Sequence, residues 1–184
     1  MLDKLLEIDG EILLWIQDHV RADFLDPVVK AITYLGNGGI LMIALCIALL
    51  IIPKTRKLGI VCSCSLAATF LINNLILKNI IARTRPYEVV DGLSRIIGKQ
   101  SDYSFPSGHS GASFAVAVPI FKECPYRIGI SFLILAFLIA LSRLYVGVHY
   151  PTDVIAGVLL GTLFGILACY VYHKKTGAQE KIFR

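Results

Sequence analysis

The chain has 184 residues, of which 56% are hydrophobic and 17% are charged, and its mean hydropathy is +0.71. Soluble domains are about half apolar and about a quarter charged; here the apolar residues also form long runs, so a soluble globular domain is excluded. The net charge of +5 comes from basic residues in short clusters between these runs. That pattern is typical of membrane topology and not of a nucleic-acid-binding surface, so we expect an integral membrane protein without a nucleic-acid partner.

The five cysteines have no CxxC spacing, and most of them lie inside apolar runs. This pattern is typical of small buried side chains and not of a zinc site or a disulfide framework. The first residues are acidic and amphipathic, so no cleavable signal peptide is expected.

The N-terminal region places apolar and charged side chains at helical spacing. Residues 2–20 carry too many charges to cross a bilayer, so we expect an amphipathic helix in the membrane interface, with Trp15 as an anchor. An amphipathic helix packed on the membrane spans fits the same pattern equally well. A second polar–apolar helix is predicted over residues 23–35, before the Gly-rich break at 36–39.

Long apolar runs follow this N-terminal region. They predict five membrane spans, at about residues 39–52, 58–82, 107–121, 127–145 and 151–172. We therefore expect an all-α integral membrane helical bundle that forms a single domain over residues 1–184. Its predicted parts are an interfacial region at 1–35, a transmembrane core at 39–172 and a cytoplasmic tail at 173–184.

The charges divide between the two ends of these spans. One end holds the basic residues Lys54, Arg56, Lys57, Lys122, Arg127, Lys174, Lys175, Lys181 and Arg184. The other end holds most of the acids, including Asp3, Glu7, Asp9, Glu11, Glu88, Asp91 and Asp102. The positive-inside rule places the basic end, with the C-terminus, in the cytoplasm. We therefore expect the polar motifs to face outward from the cytoplasmic membrane of a bacterial cell.

The first polar motif is Lys78 with Arg85-Pro86, near the outward end of the second span. The spacing places both cations on one helix face if the helix continues that far. A lysine inside a membrane is costly and is seldom kept without a partner or a function. The alternative is that Lys78 extends toward the interface and that Arg83 and Arg85 are ordinary flanking charges.

The second motif is Phe105-Pro106-Ser107-Gly108-His109-Ser110, just ahead of an apolar run. Ser107 is a suitable N-cap for the helix that follows. A helix start has unpaired N–H groups and the positive end of the helix dipole, so it favours an anion, and His109 adds a titratable group beside it. The alternative is an ordinary helix cap with a partly exposed histidine.

The third motif extends from Ser142 to Asp153. Pro151 suits the first turn of the last span, so His149 lies just before that helix and Asp153 just inside it. A carboxylate there can accept the histidine Nδ1–H, which leaves the other ring nitrogen free to attack. The alternative treats Asp153 as a favourable first-turn acid and leaves Arg143 and His149 unexplained.

Together the motifs predict a pocket for a dianionic phosphate, because Lys78, Arg85 and Arg143 supply cations beside backbone N–H donors. The sequence has no carboxylate cluster for Mg²⁺ or Ca²⁺ and no His/Cys set at zinc spacing. We therefore expect no metal or other cofactor, and a phosphoryl transfer through a histidine nucleophile.

The motifs Lys78-x6-Arg85-Pro86, Pro106-Ser107-Gly108-His109 and Ser142-Arg143-x5-His149-x3-Asp153 resemble the signature of the type 2 phosphatidic acid phosphatase family. The resemblance extends from about residue 58 to residue 172 and includes the order of the motifs. Members of that family commonly have six spans; we expect this chain to lack a separate first span, as in the shorter bacterial members that it resembles.

The resemblance implies a role for each motif residue. His149 attacks phosphorus to form a phosphohistidine, and Asp153 orients that histidine. His109 protonates the leaving oxygen and then activates the water that hydrolyses the intermediate. The residues implied to bind the phosphate are Lys78, Arg85, Ser107, Gly108 and Arg143.

The predicted substrate is a lipid phosphate or diphosphate. An outward-facing site favours undecaprenyl diphosphate, with phosphatidylglycerophosphate or phosphatidate as the alternative. The loop at residues 87–105 either covers the pocket and selects the headgroup or is an ordinary surface loop. Two non-enzymatic alternatives are a non-catalytic membrane protein that binds a lipid phosphate and a small transporter subunit. The spans of a transporter would carry polar residues along a path through the midplane of the membrane.

Overall fold

The computed structural model describes residues 2–177 and residue 182, and every regular element in that part is a helix, which confirms the predicted all-α class. The helices are α1 (Leu2–His19), α2 (Asp26–Leu35), α3 (Ile40–Ile51), α4 (Arg56–Phe70), α5 (Lys78–Ile81), α6 (Pro86–Val89), α7 (Gly108–Glu123), α8 (Tyr126–Tyr145) and α9 (Pro151–Thr176). A 3-10 turn (Asn37–Gly39) joins α2 to α3, and a π-helical segment (Leu71–Leu77) joins α4 to α5.

Four helical stretches of the described chain are long and apolar enough to cross a membrane: Asp26–Ile51, Arg56–Val89, Tyr126–Tyr145 and Pro151–Thr176. The remaining predicted span corresponds to α7, which has 16 residues and packs against α4, α8 and α9. A helix of that length extends about 24 Å, short of the roughly 30 Å hydrocarbon core. The five predicted spans therefore comprise these four stretches and the shorter helix α7, which packs among the other helices.

The first span begins earlier than the predicted boundary at residue 39. Residues 26–35, predicted to lie in the interface, form α2 and continue into α3 through the 3-10 turn. Gly38 and Gly39 have φ angles of 58° and 67°, which glycine tolerates, so the Gly-rich segment forms a bend between two helices.

The last span continues beyond its predicted end at residue 172, since α9 ends at Thr176. Lys174 and Lys175 of the predicted tail therefore lie in the last turn of α9. Lys181 and Arg184 lie outside the described residues, as does the side chain of Asp3.

Helices α7 and α9 pack with little space between their backbones. A Cβ atom at Gly157 would lie 2.5 Å from the carbonyl oxygen of Ser107. Small residues allow membrane helices to approach this closely. The Ser107 N–H also donates to the Asp153 carbonyl oxygen at 3.0 Å. The first turns of the two helices are therefore held side by side.

Helix α1 lies at the same end of the bundle. Leu13 packs against Leu93 and Tyr150, while Trp15 is 57% exposed on the other side of the helix. The helix thus combines both sequence interpretations, because one face packs on the bundle and the other is free to meet lipid headgroups. Its location in the membrane interface stays a prediction.

The close contact at Gly157 predicts that Gly157→Ala destabilises the bundle. The added methyl group must displace the Ser107 carbonyl, and overpacking of this kind costs about 1–3 kcal/mol. Thermal unfolding of purified protein in detergent measures the effect. Gly98→Ala is the matched control, since no atom lies within 4 Å of its Cβ position. Equal unfolding temperatures for the two variants would contradict the packing described here.

Candidate functional site

A cavity of about 930 Å³ opens at the end of the bundle where α7 and α9 begin. The predicted site residues on its wall are Lys78, Arg85, Gly108, His109, Arg143 and His149. Ser107 and Asp153 do not line the cavity, and both are fully buried in the protein. Segments that are far apart in the sequence thus meet at one cavity.

Lys78 and Arg85 converge by a different route from the one that the spacing predicted. The helix ends at Ile81, and Ala82 has a φ of 47°, so the two cations do not share a continuous helix face. They meet instead at Asp102, which forms an ion pair with Lys78. The same carboxylate lies 2.5 Å from Arg85 Nη2, and Arg85 Nε donates to the Asp102 carbonyl oxygen at 2.8 Å.

The carboxylate of Asp102 is held in its ionised form. Partial burial alone raises its pKa, but hydrogen bonds and charge interactions with Lys78 and Arg85 outweigh that effect and lower the pKa to about 2. Asp102 therefore neutralises part of the positive charge on the cavity wall at any ordinary pH.

Arg143 is fully buried and is held by two residues that the sequence did not single out. Its Nη1 donates to Thr33 Oγ1 at 2.7 Å, and its Nη2 donates to Gln100 Oε1 at 3.3 Å. Neutral partners leave the positive charge of the guanidinium uncompensated, which suits an anionic ligand.

His149 is 1% exposed and lies between a carboxylate and a cation. Its Nδ1 is 3.4 Å from Asp153 Oδ2, and its Nε2 is 3.3 Å from Arg85 Nη1. Burial lowers the pKa of the imidazole well below its usual value, and the charges of Arg85, Arg143 and Lys78 lower it further. The ring is therefore neutral at ordinary pH, and its Nε2 lone pair faces the Arg85 guanidinium.

Asp153 is anchored by several hydrogen bonds besides its contact with His149. Its Oδ2 accepts from Ser104 Oγ at 2.5 Å and from the Tyr150 N–H at 3.0 Å. Its Oδ1 accepts from Arg83 Nη1 at 2.7 Å. In the sequence analysis Arg83 appeared only in the alternative interpretation, as an ordinary charge flanking the second span. In the structure it is a direct partner of the Asp153 carboxylate.

His109 is held by the 3-10 turn between α2 and α3. Its Nε2 lies 3.0 Å from Asn37 Oδ1. The ring also packs directly on Gly36, where a Cβ atom would lie 2.5 Å from His109 Cδ2. Sequence reasoning missed both partners, because it treated the Gly-rich segment only as a helix break.

The start of α7 has the predicted cap. Ser107 Oγ accepts from the Ser110 N–H at 3.4 Å and from Ser110 Oγ at 2.9 Å, which confirms Ser107 as the N-cap. Gly108 lies beside Asn74, since a Cβ atom at Gly108 would be 3.3 Å from Asn74 Nδ2. The predicted contact between Ser107 and a phosphate stays a prediction, because Ser107 itself does not reach the cavity wall.

The cavity offers cations and helix N–H groups to an anion, and it places two histidines beside that anion. Among residues 2–177 and 182, no group of three or more His, Cys, Asp or Glu side chains is arranged to hold a metal ion. Binding of a tetrahedral oxyanion and its attack by an imidazole are the chemistry that such a set of groups can perform.

Comparison with known proteins connects this geometry to a family. Residues 57–177 match the model described as the PAP2 superfamily. An undecaprenyl-diphosphatase from Sulfolobus acidocaldarius is 37% identical over 134 residues, which cover 73% of this chain and 64% of that protein. Phosphatidylglycerophosphatase B from Bacillus subtilis is 30% identical over 178 residues, which cover 90% of this chain and 80% of that protein.

A solved structure supports the same assignment. The crystal structure of a transmembrane PAP2 type phosphatidylglycerolphosphate phosphatase from Bacillus subtilis superposes with a TM-score of 0.77 at 28% identity. The superposition covers 93% of this chain and 87% of the other. The matched family region contains all the motifs that line the cavity, so the resemblance predicted from those motifs is confirmed. The chain is a multi-pass membrane protein and belongs to the PAP2 superfamily.

Proposed function

We propose that the chain is a membrane lipid phosphatase that forms a phosphohistidine on His149 without a metal ion. The observation that carries this proposal is the meeting of two histidines and three cationic side chains on one cavity wall, with Asp153 next to His149. The same residues carry the motifs of the family to which the chain belongs.

The substrate phosphate lies among Lys78, Arg85 and Arg143, near the start of α7. These cations and the N–H of Gly108 stabilise the charge on the phosphate oxygens as the transition state forms. Fixed cations thereby supply the charge stabilisation that a divalent metal ion gives in other phosphatases, and they repel such an ion from the same place.

The reaction proceeds in two transfers. First, His149 Nε2 forms a bond to phosphorus while the bond from phosphorus to the leaving oxygen breaks, and His109 gives that oxygen a proton. Asp153, 3.4 Å from His149 Nδ1, stabilises the positive charge that the ring acquires. Water then attacks phosphorus, His109 takes its proton, and the N–P bond breaks to release orthophosphate and neutral His149.

The cavity favours an amphiphilic substrate, because its wall continues from the polar end along α3 and α4. The apolar residues there include Ile43, Ile47, Leu66 and Phe70. A lipid tail can lie along these side chains while its headgroup meets the cations. Undecaprenyl diphosphate, cleaved to undecaprenyl phosphate, is our first candidate, because the Sulfolobus relative is named for that activity and because the predicted site faces outward.

Phosphatidylglycerophosphate is the second candidate substrate, with phosphatidate as a related one. It is favoured by the similarity to the Bacillus subtilis phosphatidylglycerolphosphate phosphatase, which extends over 93% of this chain. The similarity to the Sulfolobus protein covers 73%.

The proposed orientation places the cavity on the outer side of the cytoplasmic membrane, as predicted for a bacterial cell. Basic residues lie at the opposite end from the cavity, at the start of α4 (Arg56, Lys57) and the end of α9 (Lys174, Lys175). The positive-inside rule then keeps the C-terminus in the cytoplasm.

Phosphate release by purified protein in detergent with excess EDTA tests the proposed function. Undecaprenyl diphosphate, phosphatidylglycerophosphate and phosphatidate are compared, and we expect release from at least one of them. His149→Ala should lower the rate more than about a thousandfold, because the nucleophile is lost. His109→Ala should lower it by about 10²–10⁴-fold, the usual contribution of a general acid–base.

The outcomes of this assay separate the alternatives. A folded wild-type protein that releases phosphate from none of the three lipids would favour the non-catalytic lipid-binding alternative. Activity that disappears in EDTA would show an enzyme with a different mechanism. The lipid that is cleaved fastest would identify the substrate class.

The ion pairs of Asp102 predict that it competes with the substrate phosphate for Lys78 and Arg85. Asp102→Asn should therefore lower KM and the inhibition constant of orthophosphate by about two- to tenfold, the range expected for two partly exposed ion pairs. The pKa of Asp102 is about 2, so the carboxylate stays charged and the effect should be the same from about pH 5 to about pH 8. Steady-state kinetics of Asp102→Asn and of the wild-type protein measure these constants.

The matched control for this charge change is Glu88→Gln. Glu88 is an exposed acid that pairs with Lys99 at 2.8 Å and does not line the main cavity. A rise in KM for Asp102→Asn would show that the carboxylate holds the cations in place for the substrate instead of competing with it.

The contact between Gly36 and His109 predicts that Gly36→Ala impairs the step that His109 performs. The added methyl group must displace the imidazole, and a misplacement of about 1 Å can cost about a hundredfold in rate. We expect kcat/KM, which reports the formation of the phosphohistidine, to fall by about ten- to a hundredfold on a lipid substrate, and by less on an aryl phosphate whose leaving group needs no proton. Gly98→Ala changes another glycine on the cavity wall, but its added methyl group meets no atom within 4 Å, so this variant should retain activity. Equal losses on both substrates would contradict the assignment of His109 as the acid.

A further inference from the structure

Arg83 lies between two buried carboxylates that belong to opposite ends of the sequence. Its Nη2 is 2.8 Å from Asp9 Oδ2 on α1, and its Nη1 is 2.7 Å from Asp153 Oδ1 on α9. The guanidinium also stacks on the ring of Tyr150, with 3.7 Å from Cζ to the ring centroid. The two carboxylates and the ring therefore fix the position of this cation.

Asp9 also holds the first turn of α9 directly. Its Oδ1 accepts from the Thr152 N–H at 3.1 Å, and its Oδ2 accepts from the Thr152 hydroxyl. A carboxylate that accepts an N–H at a helix start is stabilised by the helix dipole. Asp153 is the next residue after Thr152. Asp9 therefore restrains the backbone next to Asp153 through Thr152, and the side chain of Asp153 through Arg83.

The charges in this network determine how strongly Asp153 acts on His149. If Arg83 had only Asp153 as its partner, the cation would cancel most of the negative potential of that carboxylate. Asp9 supplies a second negative charge, so the network of one cation and two anions keeps a net negative charge. That charge stabilises the positive imidazole that forms when the N–P bond is made.

We propose that Asp9 is a positioning residue for the phosphatase reaction: acting through Arg83 and Thr152, it sets the orientation and the effective charge of Asp153, and thereby the reactivity of His149. Helix α1 then contributes a positioning residue to the site, in addition to its predicted location in the membrane interface. This inference rests on the proposed function. It adds a residue that none of the three motifs contains.

The charged and titratable groups around His149 come from several elements. Those that face it are Arg85 and Asp153 directly, with Arg143, Lys78, Asp102 and His109 acting at longer range. Substitutions at Asp9 leave all of these groups in place. A change in the titration of His149 in such variants therefore reports the link through Arg83 and not a change in the cavity wall.

The test compares Asp9→Asn with wild type in the EDTA assay. We expect kcat to fall by about ten- to a hundredfold, as for a misplaced catalytic group, while KM stays within about twofold. The acidic limb of the kcat/KM profile should move to lower pH, because loss of a negative charge makes the protonated form of His149 less stable. Asp9→Glu keeps the charge and should recover part of kcat and restore the acidic limb.

The matched control is Glu11→Gln, which removes the same charge from an exposed position on the same helix. It should behave as wild type in kcat and in the pH profile. A purely structural role for Asp9 would lower the yield of folded protein without moving the acidic limb. That result, or a kcat equal to wild type, would overturn the inference.

Arg83→Lys decides the question if Asp9→Asn does not fold. Lysine keeps one positive charge between the carboxylates but cannot donate to both from the fixed fork of a guanidinium. We expect a lower kcat with little change in KM, and an unchanged kcat would overturn the inference. Failure of the proposed function is a separate outcome, since the wild-type protein itself would then release no phosphate from any lipid.

Discussion

The burial of three cations at one end of an apolar bundle is the constraint on which the rest of the structure depends. Lys78, Arg85 and Arg143 expose only 4%, 3% and 0% of their surfaces. Charges removed from water are tolerated only with hydrogen-bonding partners. Most of the partners come from α2 and from the loop between α6 and α7, so the cations determine where that loop lies. The tight contact of α7 with α9 then brings two histidines to the same place.

The sequence predicted those parts of this arrangement that depend on local signals. Long apolar runs predicted the bundle, because a membrane span needs only length and hydrophobicity. Pro106-Ser107-Gly108 and Pro151 predicted where two helices begin, because caps and prolines act on their own first turn. The first turns of α7 and α9 hold His109 and Asp153, so those local signals were enough to indicate one site. The two misplaced boundaries carry such signals as well, Pro27 in the first turn of α2 and Gly177 after the end of α9, but the apolar runs alone did not show them.

The partners of the motif residues could not be predicted, because tertiary packing selects them over long distances in the sequence. Asn37 lies 72 positions from His109, and Asp9 lies 74 positions from Arg83. Asp9 lies on the face of α1 that holds Leu13, opposite Glu7 and Glu11, but only the packed structure shows that its partner is Arg83. The positive φ of Ala82, which turns the chain between Lys78 and Arg85, also has no signature in composition.

The network of Asp9, Arg83 and Asp153 is better explained by chemistry than by stability. Apolar side chains of similar size are often as stabilising as a buried ion pair, because the free energy of desolvation offsets the attraction between the charges. A bundle that needed only to hold α1 in place could do so with contacts such as Leu13 on Tyr150. Fixed charges do something that apolar contacts cannot: they maintain a defined electrostatic potential at a nearby group. Here the nearby group is the imidazole of His149, whose reaction with phosphate creates a positive charge.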